Sequence, residues 1–274
     1  EFLNLSKTTQ VEGKFERERR SRVIRKLLKD KNHYRIFSVD NLSTNFFGYF
    51  GISSVTGYRP VKIRKYQDLL DASHLYLLAK PKKIFHHSSK RELLKARQPI
   101  LNMLNVKYFV SRQKTPKLIT SALPKAWFVS EVISVNDQKA SLETISPSLL
   151  DTIRRDTIIL KDLEDFEPFD PAQKAVIVNY DGPQINPKST GEVIVENYEE
   201  HEIKLKTSSV TGGVLVLSEI YYAPRWIATV DGEETPIYQT NHVLRSVYVP
   251  PGEHEVIFRF DDSLFKTTRL MSRI

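Results

Sequence analysis

Eight short segments of alternating character follow one another between residues 175 and 260, and they constrain the fold more than any other feature of the sequence. In 202–207, Ile203 and Leu205 alternate with charged residues, a pattern typical of a strand with one buried face. Asp231 is the last residue of the fifth segment and Gly232 follows it, and an Asp-Gly pair favours a tight hairpin turn. Regularly spaced short strands predict an antiparallel β-sandwich, either jelly-roll or immunoglobulin-like. The segments are AVIVNY (175–180), EVIVENY (192–198), EIKLKT (202–207), GVLVLSEIYY (213–222), WIATVD (226–231), TPIYQT (235–240), LRSVYV (244–249) and EHEVIFRF (253–260).

The residues before the sandwich alternate between helical and strand character. Apolar side chains recur at helical spacing in 15–31 and 64–79, whereas 34–39 and 106–110 have the pattern of strands. Pro99 suits the first turn of a helix, which predicts a helix over 99–105. Helices that alternate with short strands predict an α/β layer.

The chain as a whole is therefore predicted to be α+β, with an N-terminal α/β layer followed by an antiparallel β-sandwich. A segment with two prolines, 165–174, is a candidate linker between them. We predict a mixed α/β domain at 1–172, a β-sandwich domain at 173–262 and a tail at 263–274.

Several classes of chemistry are excluded or unsupported by the residues present. The chain has no cysteine, which excludes disulfides, thiolate catalysis and cysteine-ligated metals. Its seven histidines have no spacing typical of a metal site, and no phosphate-binding loop, nucleophile elbow or dinucleotide motif occurs. We therefore predict no metal, no cofactor and no catalytic residue in this chain.

Charge is distributed unevenly along the sequence. Residues 1–125 contain 27 Lys and Arg against 9 Asp and Glu, a net charge of +18, whereas residues 126–274 carry −10. The basic half suggests docking on the acidic half or a polyanionic partner, such as a membrane surface, lipid phosphate or nucleic acid, although solvated lysines on an ordinary surface fit equally well. No nucleic-acid partner is predicted, because no binding motif occurs and the acidic half would repel the ligand. The candidate lipid or phosphate contacts are Arg17, Arg20, Lys62, Arg64 and Lys65.

Aromatic and polar residues near the centre of the sandwich segment form a candidate sugar-binding surface. Aromatic faces stack on pyranose rings, and short polar side chains orient the hydroxyls. A second interpretation is the simpler one, because Trp226, Ala228 and Val230 share one face of a strand, as residues of the core do. The candidate substrate-binding residues are Tyr222, Arg225, Trp226, Asn241 and His242.

Four motifs, in the same order, resemble the YfhO family of bacterial membrane proteins. The stretch 214–260 is similar to the family's C-terminal signature, with an LVLS, a VDG hairpin and a VPAGEH-like turn, although Ala223-Pro224-Arg225-Trp226 replaces the usual Pro-Gly-Trp. The other three motifs are VTGYRPVKIRKYQDLL (55–70), LNMLNVKYFV (101–110) and LPKAWFV (123–129).

The resemblance implies that the chain is the extracytoplasmic domain of a polytopic protein in the cytoplasmic membrane, similar to the glycosyltransferase-C superfamily. Such proteins use polyprenyl-phosphate-linked sugars, and their catalytic aspartate lies in a membrane loop outside this chain. The domain is then expected to assist recognition of a lipid-linked sugar or glycan acceptor without catalysing the reaction. The expected partners are the membrane surface and the protein's own transmembrane helices, and 263–274 would be a juxtamembrane segment. The alternative is a secreted carbohydrate-binding or glycan-processing β-sandwich protein.

Overall fold

The computed structural model describes residues 21–39, 46–57, 63–79, 89–111, 114–154, 157–160, 166–222 and 225–261. Within these ranges the chain is α+β, with a helix-containing N-terminal layer followed by a β-sandwich, so the predicted fold class is confirmed. No helix in the described ranges is long and apolar enough to cross a membrane. The predicted tail at 263–274 lies outside the described residues.

The N-terminal layer contains a small sheet covered by a basic helix. Helix α1 (Arg22–Lys29) begins after Ser21, whose hydroxyl caps the helix by accepting from the backbone N–H of Ile24 at 3.2 Å. Strands β1 (Arg35–Ser38) and β2 (Val106–Ser111) pair in parallel, and β3 (Lys114–Leu118) adds antiparallel to β2. The apolar face of α1 packs with a 3-10 helix (Phe46–Phe50) and with one face of this sheet. The predicted strands at 34–39 and 106–110 are confirmed.

Two further helices connect this layer to the sandwich. Helix α2 (Arg64–Ala72) is followed by a second 3-10 helix (Leu75–Ala79), and α3 (Ser89–Met103) leads directly towards β2. The prediction that Pro99 begins a helix was wrong, because α3 starts ten residues earlier and contains Pro99 in its interior. Apolar residues on both sides of Pro99, among them Leu93 and Leu101, are fully buried, and this packing outweighs the backbone hydrogen bond that proline removes.

A six-stranded sheet forms the central layer of the molecule, in the order β4-β11-β15-β14-β8-β5. Alternate residues of one strand point to opposite faces, so Val214 and Val216 pack against the helices while Leu215 and Leu217 pack inside the sandwich. Two of the six strands precede the predicted boundary at 172/173, so the sheet crosses it. That residues 1–172 and 173–262 fold as two separate domains therefore stays a prediction. The strands are β4 (Ala126–Val129), β5 (Glu131–Val135), β8 (Lys174–Val178), β11 (Gly213–Ile220), β14 (Tyr238–Thr240) and β15 (Leu244–Val249).

A five-stranded antiparallel sheet covers the other side of the sandwich, in the order β13-β12-β16-β10-β9. Its Leu205 and Phe258 are fully buried between the two sheets. Asp231 and Gly232 both have positive φ, at 53° and 88°, which confirms the predicted two-residue hairpin. Its strands are β9 (Glu192–Tyr198), β10 (Glu202–Ser209), β12 (Trp226–Val230), β13 (Glu233–Thr235) and β16 (Gly252–Phe260). The remaining elements are α4 (Gln138–Ile145) and the ribbon of β6 (Leu150–Arg154) and β7 (Thr157–Leu160).

Candidate functional site

Three cavities meet where the sandwich joins the N-terminal layer. The first, which we call the Trp226 cleft, has a volume of about 650 Å³ and is lined by Tyr198, Glu199, Glu200, His201, Ile203, Glu219, Trp226 and Arg245. A second cavity of about 180 Å³ shares Trp226 and Arg245 with it. A third, of about 660 Å³, shares Tyr198 and Glu219 and extends to the loop at 47–57. The Trp226 cleft therefore borders both other cavities, through Trp226 and Arg245 on one side and through Tyr198 and Glu219 on the other.

A break in the pairing of two central strands creates this junction. Strands β11 and β15 pair regularly from Gly213 to Leu217, and the register then shifts between Leu217 and Ile220. The two residues in the shift are Ser218 and Glu219. Bulges of this type redirect side chains and are frequent beside functional sites. Here the shift coincides with the end of apolar packing and the start of a polar cluster.

The polar cluster is centred on the Glu219 carboxylate, which lies at the floor of the Trp226 cleft. Its Oε1 atom accepts from Arg35 Nη2 at 2.8 Å, from Lys125 Nζ at 2.5 Å and from the Tyr198 hydroxyl at 2.5 Å. Burial alone would raise the pKa of Glu219, but the two neighbouring cations outweigh it and lower the pKa to about 2. Glu219 is therefore ionised at neutral pH and ties β11 to β1 and to the segment before β4.

The cluster contains more positive than negative charge. Arg35, Lys125 and Arg245 are cationic, and Glu219 is the single carboxylate among the four charged groups described here, which leaves a net charge of +2. Desolvation and the nearby Arg35 guanidinium lower the pKa of Lys125 to about 8. Desolvation also lowers the pKa of Arg245 to about 10. The inner cluster therefore carries a surplus of positive charge, whereas Glu199 and Glu200 add two carboxylates to the lining of the same cleft.

Arg245 is the least satisfied member of the cluster. Its guanidinium carbon lies 4.1 Å from the centre of the Trp226 ring, in a cation–π stack. Nη2 donates to the backbone carbonyl of Ile220 at 2.8 Å, whereas Nε and Nη1 have no hydrogen-bond partner in the described part of the chain. Only 3% of the residue is exposed. A buried guanidinium with two unpaired nitrogens is costly unless something binds to it.

The structure brings two of the five predicted substrate-binding residues to this region. Trp226 is half-buried and packs edge-to-face on Phe260 at 5.7 Å, so it contributes both to the core and to the cleft. Tyr222 is 47% exposed and lines the second cavity. Arg225 is not among the residues that line these cavities, and its Nη1 donates to the Asp261 carbonyl at 3.4 Å. As substrate contacts, all three remain predictions.

Asn241 and His242 are not among the residues that line the Trp226 cleft. Both adopt positive φ in the turn between β14 and β15, and both are buried. Asn241 Oδ1 accepts from the backbone N–H of Val176 at 2.9 Å, so its side chain connects this turn to β8. This geometry supports a structural role for Asn241.

The predicted lipid or phosphate contacts are only partly described. Arg17, Arg20 and Lys62 lie outside the described residues. Arg64 is exposed at the start of α2 and pairs with Asp68 at 3.3 Å. Lys65 donates to Gln239 Oε1 at 2.5 Å and lies 5.8 Å from the Tyr221 ring centre, so it contacts the sandwich.

Sequence reasoning missed the central residues of the site. Arg35, Lys125, Tyr198, Glu219 and Arg245 are far apart in the sequence and belong to no spacing motif. One signal was present: Glu219 and Arg245 are charged residues inside the otherwise apolar segments 213–222 and 244–249. Charges at such positions are buried only when they are paired, which indicates a polar cluster.

Comparison with known proteins does not place the chain in a class. No family model, curated protein or solved structure matches it. The resemblance to the YfhO family therefore stays a prediction, and the function has to be argued from the site itself.

Proposed function

We propose that the chain is a non-catalytic recognition domain of a membrane-embedded, glycosyltransferase-like protein, on the extracytoplasmic side of the cytoplasmic membrane. In this proposal the Trp226 cleft binds a sugar of a lipid-linked donor or a glycan acceptor. The observation that carries it is the composition of the cleft, in which the half-buried Trp226 ring lies beside Tyr198, His201 and three glutamates.

The chemistry of the cleft suits a carbohydrate ring. An aromatic face attracts the apolar C–H face of a pyranose, and carboxylates accept hydrogen bonds from its hydroxyls. Glu199 and Glu200 are exposed at the cleft and are therefore free to receive such bonds from a ligand. The volume of about 650 Å³ lies within the range of small-molecule sites.

Calorimetric titration of the purified chain with a panel of neutral and acidic oligosaccharides tests the proposal. We expect binding by the wild type and loss of at least tenfold in affinity for Trp226→Ala, since stacking on the indole is removed. The matched control is Tyr76→Ala, which removes an exposed aromatic side chain outside the cleft and should leave affinity unchanged. Equal binding by Trp226→Ala and wild type would refute the assignment of the cleft.

A second surface supports the membrane side of the proposal. Helix α1 carries Arg22, Arg25, Lys26 and Lys29, all exposed, and its Lys26 Nζ donates to the Pro116 carbonyl of β3 at 3.2 Å. Strand β3 adds the exposed Lys114 and Lys117. We call the exposed side chains of α1 and β3 the basic face. In the proposal it lies against anionic lipid head groups, which attract each such cation by about 1 kcal/mol.

Vesicle sedimentation tests the basic face. We expect retention on vesicles with 30% anionic lipid at low salt, lost above about 0.5 M salt because screening shortens the reach of the charges. Arg22→Glu with Arg25→Glu should abolish retention, whereas Lys139→Glu with Lys188→Glu, an equal charge change at exposed sites outside the face, should not. Equal losses by the two double variants would show that only total charge matters.

Fractionation of native cells with an antibody against this chain separates the membrane proposal from the secreted alternative. The proposal expects a much larger protein held in the membrane pellet after a carbonate wash. A soluble protein close to 31.7 kDa would contradict it and favour a secreted carbohydrate-binding protein.

A further inference from the structure

We infer that the sugar bound in the Trp226 cleft carries one anionic group, a phosphate or a carboxylate, and that Arg245 is the residue that binds it. The inference rests on the proposed sugar-binding function of the same cleft and adds the chemical class of the ligand. Three independent features of the described residues support it: the surplus of positive charge, the unpaired nitrogens of Arg245 and the polarity of the rim.

The surplus of positive charge is buried and local. Glu219 Oε1 already accepts from Arg35, Lys125 and Tyr198, and within the described residues Arg245 makes no ion pair with this carboxylate. Glu219 acts on Arg245 only at longer range, and this raises the pKa of Arg245 by less than desolvation lowers it. A buried charge of this kind is strongly stabilised by a ligand of opposite sign.

The unpaired nitrogens of Arg245 suit an anionic ligand. Nε shares one edge of the guanidinium with Nη2, which donates to the Ile220 carbonyl, whereas Nη1 lies on the side of Cδ, so the two unpaired nitrogens donate in different directions. Each can donate a charge-assisted hydrogen bond to an anionic oxygen. Both nitrogens are shielded from solvent, and the indole of Trp226 stacks on the guanidinium. We therefore expect the ligand to bind with a small movement of the indole, which makes tryptophan fluorescence a reporter. The other tryptophan, Trp127, is buried and donates to the Pro171 carbonyl at 2.8 Å.

The rim of the cleft distinguishes an anionic sugar from a simple polyanion. Glu199 and Glu200 would repel a ligand with many negative charges, such as a nucleic acid or a polyphosphate. The same carboxylates accept hydrogen bonds from the hydroxyls of a sugar. The combination of acceptors at the rim and an unpaired guanidinium beneath it fits a hydroxylated ring with a single anionic group.

Titrations of the 274-residue chain with four probes test the inference: glucose, glucose 1-phosphate, glucuronate and inorganic phosphate. We expect one or both anionic sugars to bind about 10- to 100-fold more tightly than glucose, the range of a hydrogen bond to a charged group. The two anionic sugars distinguish phosphate from carboxylate. Arg245→Lys keeps the positive charge but loses the planar guanidinium and its unpaired N–H groups, and should remove the preference for the anionic sugars over glucose. Arg91→Lys, at an exposed position of α3, is the matched control and should behave as wild type.

Each outcome decides the question. Equal affinity for glucose and the anionic sugars in the wild-type chain would overturn the inference and leave the proposed function standing, and this comparison needs no variant. Inorganic phosphate bound as tightly as glucose 1-phosphate, with glucose not bound, would leave an anion site but refute its sugar ligand and with it the proposed function. A chain that binds none of the four probes would overturn both.

Discussion

The two ends of the β11–β15 pair differ in what holds them together. At one end, Leu215 and Leu217 of β11 and Val247 of β15 pack in the apolar core between the sheets. At the other end, at the register shift, the same two strands contribute Glu219 and Arg245 to a polar cluster. The three apolar residues are fully buried, whereas Arg245 is 3% exposed and the Glu219 side chain is 17% exposed, so the two ends differ mainly in chemistry.

This difference shows how the fold separates stability from recognition. The apolar end needs no partner outside the chain, because its contacts are complete. The polar end has one carboxylate for three cations and a guanidinium with two unpaired nitrogens. A cluster that is only partly satisfied costs stability, and such a cost is typical of sites that bind something else. The predictions below test whether the two ends respond to substitution as this comparison requires.

The largest effect is expected at the apolar end, from Phe258→Ala. Phe258 is fully buried between the sheets and pairs with Ile203 on one side and Ala228 on the other. Truncation leaves a cavity and should lower the free energy of unfolding by about 4 kcal/mol, measured by urea denaturation. Ile194→Ala, at a 61% exposed position on the edge strand β9, should change it by less than about 0.5 kcal/mol. Similar losses for both variants would show that the core does not lie where the structure has it.

At the polar end, Glu219→Gln should cost about 3 kcal/mol at pH 7, since it leaves Arg35 and Lys125 without the carboxylate with which they pair. Glu219 has a folded pKa of about 2, below its ordinary value of 4.5, so its contribution is present above pH 4.5 and is lost as the pH falls towards 2. Stability curves of wild type and variant should therefore converge over that range. Asp30 also has a pKa lowered to about 2 and titrates in both proteins. The quantity to follow is therefore the difference in the free energy of unfolding between the wild type and Glu219→Gln. A difference that does not depend on pH would refute the electrostatic explanation.

A smaller effect, of the same sign but in the alkaline range, is expected from Lys125. Its folded pKa of about 8 lies below its ordinary value of 10.5, so between these values the unfolded chain binds more protons and stability rises with pH. Between pH 8 and 9.5 this rise should amount to about 1–2 kcal/mol in the wild type. Lys125→Met removes the titrating group and should flatten the curve, measured by thermal or urea unfolding at several pH values. An unchanged slope in Lys125→Met would show that the cluster is not short of negative charge.

The sequence predicts the apolar end far better than the polar end, for a physical reason. Alternation at a period of two is local, so segments such as 202–207 and 254–260 revealed their strands directly. The hairpin at Asp231-Gly232 was also predictable, because it depends only on two adjacent residues. The Glu219 cluster joins residues as distant as Arg35 and Arg245, and only the tertiary fold brings them together. The helix at Pro99 was mispredicted for the same reason, because burial of its neighbours overrode a local preference.

The smallest effect is expected at that hairpin, where a polar pair is complete by itself. His254 Nδ1 lies 2.6 Å from Asp231 Oδ2, and this hydrogen bond raises the pKa of His254 above 6.5. Since the folded pKa is raised, the contribution of the pair to stability is fully present below pH 6.5 and is lost as the pH rises through the folded value. An NMR titration of the imidazole should give a pKa above 6.5 in the wild type and a return towards 6.5 in Asp231→Asn, which keeps the positive φ of 53° accessible.

Unlike the Glu219 cluster, the His254–Asp231 pair should not respond to any probe of the Trp226 cleft. A His254 pKa that shifts on addition of glucose 1-phosphate would therefore break the separation between a site that binds ligand and a turn that only stabilises the fold.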